Sequence, residues 1–297
     1  MKNPSHKEPQ VIDELRDGQS IELLKELHIL TREGKLNQDT RRKLKQVYHL
    51  YQFIEPLLNS VLKTKAAFTL ADHGAGKSYL GFILYDLFFN VARTGLPAKK
   101  PKPMEGHIYG IETRPELVEK SRALAARLGF KNMSFLNVSV LQAATSQALP
   151  ATIDIVTALH ACDTATDDAI AFGLAKNAQH MVLVPCCQAE VAGLLKKSKG
   201  TGASRAPLAE LWRHPLHTRE FGSQITNVLR CLQLEANGYD VTVTELVGWE
   251  HSMKNELILA SRLASFGSEK SHAARTRLQL VLQDLGLAQM KERFFTK

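Results

Sequence analysis

Ala71-Asp-His-Gly-Ala-Gly-Lys-Ser78 is the stretch of this 297-residue sequence that decides the fold. It follows a short apolar strand predicted at 66–71 and precedes a helix predicted from about residue 78 to residue 91. Gly74 and Gly76 allow the backbone to approach a ligand closely. Backbone N–H groups at the start of the following helix would face an anionic or polar ligand. The turn therefore predicts a nucleotide-type ligand site.

Beyond this turn, short apolar strands alternate with segments of helical length. Such alternation predicts an α/β, Rossmann-like fold, with a largely parallel sheet of seven strands covered by helices on both faces. The last two strands read as an antiparallel hairpin that completes the sheet. The further strands are predicted at 107–111, 133–138, 153–159, 181–184, 239–246 and 256–260, and the helices between them at 116–128, 167–177 and 225–237.

Three regions are predicted along the chain. Residues 1–64 form an N-terminal helical appendage, with leucines at three- and four-residue steps and Asn37 among the candidates for capping the second helix. Residues 65–264 form the sheet domain, in which 192–222 are a basic insertion without regular structure. Residues 265–297 form a C-terminal helical extension.

Composition narrows the class of protein. The chain is 44% hydrophobic and 23% charged, as in ordinary soluble proteins, and its 38 Lys and Arg against 30 Asp and Glu give a net charge of +8. This surplus favours polyanionic partners. The most apolar stretch, 79–92, is too short to cross a bilayer, the N-terminus does not resemble a signal peptide, and four cysteines make no disulfide framework. We expect a cytoplasmic protein with no membrane partner and no obligate protein partner.

Two ligand chemistries fit the glycine turn. In the first, Glu112 at the end of the second strand accepts hydrogen bonds from the ribose of a nucleoside cofactor. It lies 36 residues after Gly76, farther than usual, because a Pro/Lys loop at 92–106 intervenes. In the second, Gly76-Lys-Ser78 belongs to a phosphate-binding P-loop, although Ala71 stands where that motif has glycine and Asp72 would repel phosphates. A purely structural turn is the third alternative.

The ends of the fourth and fifth strands carry further chemistry. His160 and Cys162 follow one strand, Cys186 and Cys187 follow its predicted neighbour, and ligands bind at the carboxyl ends of strands in such sheets. One interpretation is structural, with buried cysteines and a satisfied histidine. Another is catalytic, with His160 as a general base or a cysteine as a nucleophile. A zinc site is the third, although the adjacent cysteines would point in different directions on extended backbone.

At these residues the chain resembles the class I S-adenosylmethionine-dependent methyltransferases. Leu159-His-Ala-Cys-Asp-Thr-Ala-Thr-Asp-Asp168 and Val184-Pro-Cys-Cys-Gln188 resemble the HxCGxATD and Cys-Cys motifs of one branch. That branch includes eukaryotic tRNA ribose methyltransferases, the methyltransferase domain of glutathione S-transferase C-terminal domain-containing protein, and bacterial members. The chain also resembles the bacterial members in three further segments, at 225–230, 234–239 and 251–255. The resemblance covers roughly 60–262, with Asp163 where the branch usually has Gly and Asn227 where Asp is common.

The resemblance implies a seven-stranded methyltransferase sheet and S-adenosyl-L-methionine as cofactor. It implies that Glu112 binds the ribose and Ser139 the adenine, and that His160 contributes to the cofactor site and to catalysis, with Cys162, Cys186 and Cys187 as further catalytic candidates. No metal is implied. The remaining cofactor-binding residues are those of the glycine turn, namely Asp72, His73, Gly74 and Gly76.

The basic composition makes RNA, either tRNA or rRNA, the favoured methyl acceptor. Three alternatives stay open. The first is a methyltransferase acting on a small molecule or a protein. The second is a P-loop-like nucleotide-binding protein, and the third is a Rossmann-like RNA-binding module without turnover.

Overall fold

A seven-stranded sheet lies at the centre of the computed structural model, which describes residues 14–91, 105–159, 163–185, 188–197, 210–211, 213–246, 256–263 and 267–295. The strand order is β3-β2-β1-β4-β5-β7-β6; β7 runs antiparallel to β5 and β6, and the other pairs are parallel. The predicted fold class is therefore confirmed, including the closing hairpin. The strands are β1 (Ala67–His73), β2 (Glu105–Glu112), β3 (Met133–Asn137), β4 (Ile155–Leu159), β5 (His180–Val184), β6 (Tyr239–Glu245) and β7 (Glu256–Arg262).

The strand order reverses at β1, which pairs with β2 on one side and β4 on the other. In open parallel sheets such a reversal opens a crevice outside the carboxyl ends of the strands, where ligands bind. Asp72 lies there in register with Gly110 of β2 and Thr157 of β4. The glycine turn leaves β1 at this point, so the topology places it at the mouth of the crevice.

In the described part of the chain, ten α-helices surround and extend the sheet. Asn37 caps the N-terminus of α2: its side chain accepts a hydrogen bond from the N–H of Thr40 at 2.9 Å in a capping box, as the sequence predicts. The helices are α1 (Ile21–Glu26), α2 (Gln38–Thr64), α3 (Tyr79–Tyr85, continued by a π-helical turn Asp86–Val91), α4 (Pro115–Leu128), α5 (Val140–Thr145), α6 (Thr164–Ala175), α7 (Glu190–Lys197), α8 (Pro215–Ala236), α9 (Ser268–Asp284) and α10 (Lys291–Phe294).

Two large hydrophobic clusters lie against the sheet. One contains side chains of α1 and α2, such as Leu24 and Ile54, together with Phe68 of β1 and Phe82 of α3. The other joins α6 to the β4 and β5 strands through residues such as Phe172. A third cluster joins α7 and α8 to α9 and α10. The N-terminal helices thus share a continuous core with the sheet.

Two of the boundaries that differ from the sequence prediction have a clear physical reason. β1 extends to His73, because Asp72 and His73 are buried although their polar side chains suggested a turn after Ala71. α8 begins at Pro215, ten residues before the predicted start at 225, with the proline in the first turn, where its missing N–H costs nothing. The sequence analysis also does not predict α7. Most of α7 and the start of α8 fall within the predicted irregular insertion 192–222, of which 198–209 and 212 lie outside the described residues.

Candidate active site

The glycine turn bends sharply between β1 and α3. Gly74 and Gly76 have φ values of +63° and +56°, in the left-handed region that glycine adopts without steric cost. The N–H of Ala75 donates to the Ile111 carbonyl at 3.2 Å, which ties the turn to the end of β2. Ser78 also has a positive φ, of 52°, and its buried hydroxyl has no hydrogen-bond partner among the described residues. The turn is therefore a tight bend held against the end of β2.

Glu112 ends β2 beside this turn, as predicted from its position in the sequence. Its Oε2 accepts a hydrogen bond from the Gly76 N–H at 2.8 Å, so the 36-residue separation closes in space. The side chain is 7% exposed and also pairs with the Arg114 guanidinium at 3.0 Å. Burial acts to raise the pKa of Glu112, but the hydrogen bonds from Arg114 and Gly76 outweigh it and hold the pKa at about 2. Glu112 is thus an ionised acceptor at the crevice.

Asp72 lies at the floor of the same region and is almost fully buried. Its Oδ1 accepts a hydrogen bond from the Thr157 hydroxyl at 2.7 Å. Burial raises the pKa of Asp72 to about 7, against a smaller lowering effect of the Thr157 hydrogen bond. A positively charged group placed beside it would favour the ionised carboxylate.

His73 is buried against Phe172, with ring centroids 4.3 Å apart in an edge-to-face arrangement. Neither ring nitrogen has a hydrogen-bond partner, and burial lowers the pKa of His73 to about 3. The imidazole is therefore neutral and packs as part of the core beneath the turn. Its predicted contact with a cofactor stays a prediction.

Ser139 lies two residues beyond the end of β3 and caps α5. Its hydroxyl accepts from the Gln142 N–H at 3.4 Å, and its backbone N–H donates to the Gln142 side chain at 2.9 Å. The Ser139-x-x-Gln142 spacing is the sequence signature of this capping box, so Ser139 also has a structural role at the start of α5. Its predicted contact with adenine stays a prediction.

The orientation of Ser78 argues against the P-loop alternative. In a P-loop the Ser or Thr hydroxyl coordinates Mg²⁺ beside the phosphates. Here the Ser78 side chain is 1% exposed, and its Oγ lies 2.7 Å from the point where a side-chain carbon on Gly81 would stand. A hydroxyl turned into the interior cannot reach a phosphate-bound cation at the mouth of the turn.

The predicted catalytic residues His160, Cys162, Cys186 and Cys187 lie outside the described residues, as does the 251–255 segment. Among the residues that the structure describes, no cluster of three or more His, Cys, Asp or Glu could hold a metal ion. The fourth cysteine, Cys231, is free, and burial raises the pKa of its thiol to about 12. An un-ionised buried thiol of this kind is not a nucleophile.

A buried polar cluster, which sequence reasoning missed, flanks these strand-end motifs. Arg230 of α8 is fully buried and donates to Asp167 Oδ1 at 2.5 Å, to Asn227 Oδ1 at 3.1 Å and to the Asp163 carbonyl at 2.8 Å. Asn227 in turn contacts the Gln188 carboxamide at 2.7 Å. The signal was present, because Asn227 and Arg230 belong to the 225–230 segment and Asp167 to the strand-four motif. The cluster connects the residues that follow both motifs to α8.

Asp163 adopts a backbone conformation that glycine would adopt more easily. Its φ of 51° and ψ of −119° are values that a residue with a side chain rarely adopts. Its Oδ1 accepts from the Ala189 N–H at 3.3 Å, which links the start of α6 to the segment after β5. Compared with glycine, the aspartate thus has less backbone freedom here but makes one side-chain hydrogen bond.

The strand order and the glycine turn at its reversal point define a class I methyltransferase fold. A family model described as a methyltransferase domain matches residues 42–193, just over half of the chain. The chain belongs to this methyltransferase domain family. It is an S-adenosylmethionine-dependent methyltransferase, and the cofactor that the resemblance implies is confirmed.

Comparison with solved structures gives similar folds at low identity. Magnesium protoporphyrin IX methyltransferase from Synechocystis is 14% identical with a TM-score of 0.43, covering 82% of this chain and 95% of that one. An rRNA methylase from Streptococcus thermophilus is 10% identical with a TM-score of 0.39, covering 71% and 95%. A SAM-dependent methyltransferase from Aquifex aeolicus is 19% identical with a TM-score of 0.35, covering 69% and 88%. No curated protein matches the chain.

The residues at the crevice fit an adenosyl cofactor. Gly74 and Gly76 place no side chain above the turn, where the described neighbours of Gly76 are the Gly74 carbonyl and the exposed guanidinium of Arg114, 3.8 and 3.7 Å from the position of a side-chain carbon. The Glu112 carboxylate accepts hydrogen bonds, as ribose hydroxyls require, and Asp72 suits an ammonium group. The site thus offers acceptors and negative charge to a ligand that brings hydroxyls and positive charge.

Proposed function

We propose that this protein methylates RNA, either tRNA or rRNA. In this proposal Asp72, Gly74 and Gly76 hold the amino-acid end of the cofactor, Glu112 holds its ribose and Ser139 its adenine. The observation that carries the cofactor assignment is the convergence of the Gly76 N–H and the Glu112 carboxylate, 2.8 Å apart at the strand-order reversal. His73 supports the turn from below.

S-adenosylmethionine supplies an electrophilic methyl group on a sulfonium, so the protein has to align the acceptor and accept its proton. We assign the proton-accepting or acceptor-positioning role to His160, which follows β4 at the carboxyl edge of the sheet. Cys162, Cys186 and Cys187 are further candidates, and a nucleophilic cysteine is required only if the acceptor is a pyrimidine carbon. Unchanged turnover in the Cys186→Ser and Cys187→Ser variants would exclude a nucleophilic role for either cysteine.

Exposed cations support RNA as the acceptor. Residues 25–45 carry seven Lys or Arg against three Asp or Glu. Arg42, Lys43 and Lys45 at the start of α2 are all exposed, whereas Arg41 pairs with Glu14 at 2.7 Å. Positive charge of this kind binds phosphates through counterion release. The polyanion-binding surface and a cytoplasmic location are parts of the same proposal. Within the described part of the chain, no helix has both the length and the apolar character to cross a membrane.

Labelled methyl transfer tests the proposal. The protein is incubated with methyl-labelled S-adenosylmethionine and, separately, with tRNA, rRNA, protein and small-molecule fractions from cells lacking the gene. We expect label in an RNA fraction, with mass spectrometry identifying the modified nucleoside. Label only in protein or small molecules would contradict the RNA proposal and support the alternative acceptors.

Charge reversal on α2 tests the RNA-binding surface. The Arg42→Glu/Lys45→Glu variant should bind RNA less tightly and with a smaller dependence on salt, because fewer counterions are released. Its affinity for S-adenosylhomocysteine should equal that of the wild type. Glu112→Gln is the reverse control, expected to lose cofactor affinity while keeping RNA affinity. If the affinity of the wild type for RNA does not change with salt concentration, the methyl acceptor is a neutral molecule instead.

A further inference from the structure

The Glu112 carboxylate already accepts so many hydrogen bonds from the protein that none of its lone pairs is free for a ligand. The described residues place six donors on it: the N–H groups of Gly76, Thr113 and Arg114, the Thr113 hydroxyl, and Nε and Nη2 of Arg114. The contacts span 2.8–3.3 Å. Since an ionised carboxylate offers about four lone-pair sites, no acceptor site is left for a ribose hydroxyl.

Only part of this set of donors can be displaced. The three N–H groups belong to the backbone of the glycine turn and of the segment that enters α4, so they cannot leave without refolding. The Arg114 side chain is 59% exposed and can rotate into solvent. Its removal takes Nε from Oε1 and Nη2 from Oε2, which leaves Oε2 with the single N–H of Gly76.

Arg114 also lies over the glycine turn. A side-chain carbon built on Gly76 would come within 3.7 Å of Arg114 Nη2, so the guanidinium occupies the open space above that glycine. The ligand assigned to this turn needs the same space and the same carboxylate. The guanidinium and the ribose are therefore competitors for one site.

From this geometry we infer that Arg114 is a displaceable latch on Glu112 that lowers the affinity for the adenosyl cofactor. The inference rests on the proposed role of Glu112 in ribose binding. Because the Arg114–Glu112 pair is largely exposed on the arginine side, the latch is weak and screened by salt. The cofactor thus binds more tightly as ionic strength rises, whereas RNA, held by phosphates, binds less tightly.

Calorimetric titration with S-adenosylhomocysteine tests the latch. Because this ligand lacks the sulfonium charge, its affinity depends little on the overall positive potential of the protein. At about 0.05 M salt Arg114→Ala should bind it about two- to fivefold more tightly than the wild type, with Arg114→Lys in between. At about 1 M salt, where the Debye length is about 3 Å, the wild-type affinity should rise to that of Arg114→Ala. Lys120→Ala, which removes an exposed charge from the same helix away from Glu112, should match the wild type.

Displacement by nucleosides separates the latch from other effects of the substitution. Arg114→Ala should bind adenosine more tightly than the wild type does. Its affinity for 2′,3′-dideoxyadenosine should equal that of the wild type, because this nucleoside lacks the ribose hydroxyls that would bind Glu112. Equal or weaker binding of S-adenosylhomocysteine by Arg114→Ala would overturn the latch while leaving the proposed cofactor site intact, and would make Arg114 inert or a ligand contact. Absence of binding in the wild type and in every variant would overturn both.

Discussion

Ser78 adopts a backbone conformation that glycine would adopt more easily. Its φ is 52°, and its buried hydroxyl has no partner among the residues that the structure describes. A left-handed residue with a side chain costs about 1–2 kcal/mol, and an unsatisfied buried hydroxyl about 1–3 kcal/mol. The site retains a serine at a cost in stability.

Ser78→Gly should therefore raise the free energy of unfolding by about 1–4 kcal/mol, after the greater chain entropy of glycine in the unfolded state is subtracted. Urea denaturation followed by circular dichroism measures the change. Ser78→Ala removes the hydroxyl but keeps the left-handed strain, so it should give a smaller gain. A loss of stability in Ser78→Gly would show that the hydroxyl makes a favourable contact.

Asp72 gives the fold a pH dependence of unusual sign. Because burial raises its pKa from 3.8 to about 7, the folded protein holds a proton that the unfolded chain has lost between these values. The contribution of Asp72 to stability is thus full below pH 3.8 and is lost as the pH rises through about 7. Adjacent His73, with its pKa lowered to about 3, acts in the opposite sense below pH 6.5.

The difference between Asp72→Asn and the wild type isolates this contribution. Asparagine keeps the shape without the charge, so its advantage in unfolding free energy should grow from pH 5 to pH 8, to at most about 4 kcal/mol. Urea denaturation at several pH values measures it. With S-adenosylhomocysteine bound, the ligand's ammonium should favour ionised Asp72 and reduce the difference. A pH-independent difference would mean that Asp72 stays ionised throughout.

At the scale of elements, the buried Arg230 cluster connects α6 and α8 to the segment after β5. Its partners come from positions 163, 167, 188 and 227, far apart in sequence. The strands of the parallel part of the sheet could be predicted because their apolar runs report burial directly, whereas β6 is largely exposed and rich in β-branched residues. The cluster could not, since a polar residue on a helix predicts solvent unless its partner is known. The same reason hid the first ten residues of α8.

Arg230→Met should lower the free energy of unfolding by about 3–5 kcal/mol, because it leaves the Asp167 carboxylate buried with only Arg293, 3.8 Å away, as a charged partner. Adding Asp167→Leu should recover part of this loss, since an apolar pair of similar size needs no counter-charge. A double-mutant cycle by urea denaturation measures the coupling. Additive losses would show that the two side chains do not depend on each other.

For the whole molecule, the N-terminal helices are as much a part of the core as the strands. Tyr51, Ile54, Leu58 and Val61 of α2 are at most 1% exposed and belong to the cluster that contains Phe68 of β1. The family match also begins at residue 42, inside α2. The glycine turn and β1 thus depend on α2, although the sequence analysis assigns α2 to a separate N-terminal region that ends at residue 64.

A chain that begins at residue 65 should therefore fail to fold, rather than yield a smaller methyltransferase domain. Removal of α1 and α2 exposes the apolar face of β1 and α3, a patch that a soluble protein rarely leaves uncovered. The shortened chain should bind a hydrophobic dye, lack a cooperative thermal transition and show no affinity for S-adenosylhomocysteine. A chain that begins at residue 14 keeps every described contact and should behave as the full chain does. If the shorter chain unfolds cooperatively and binds the cofactor, residues 1–64 are a separable appendage and the shared cluster contributes little to the stability of the sheet.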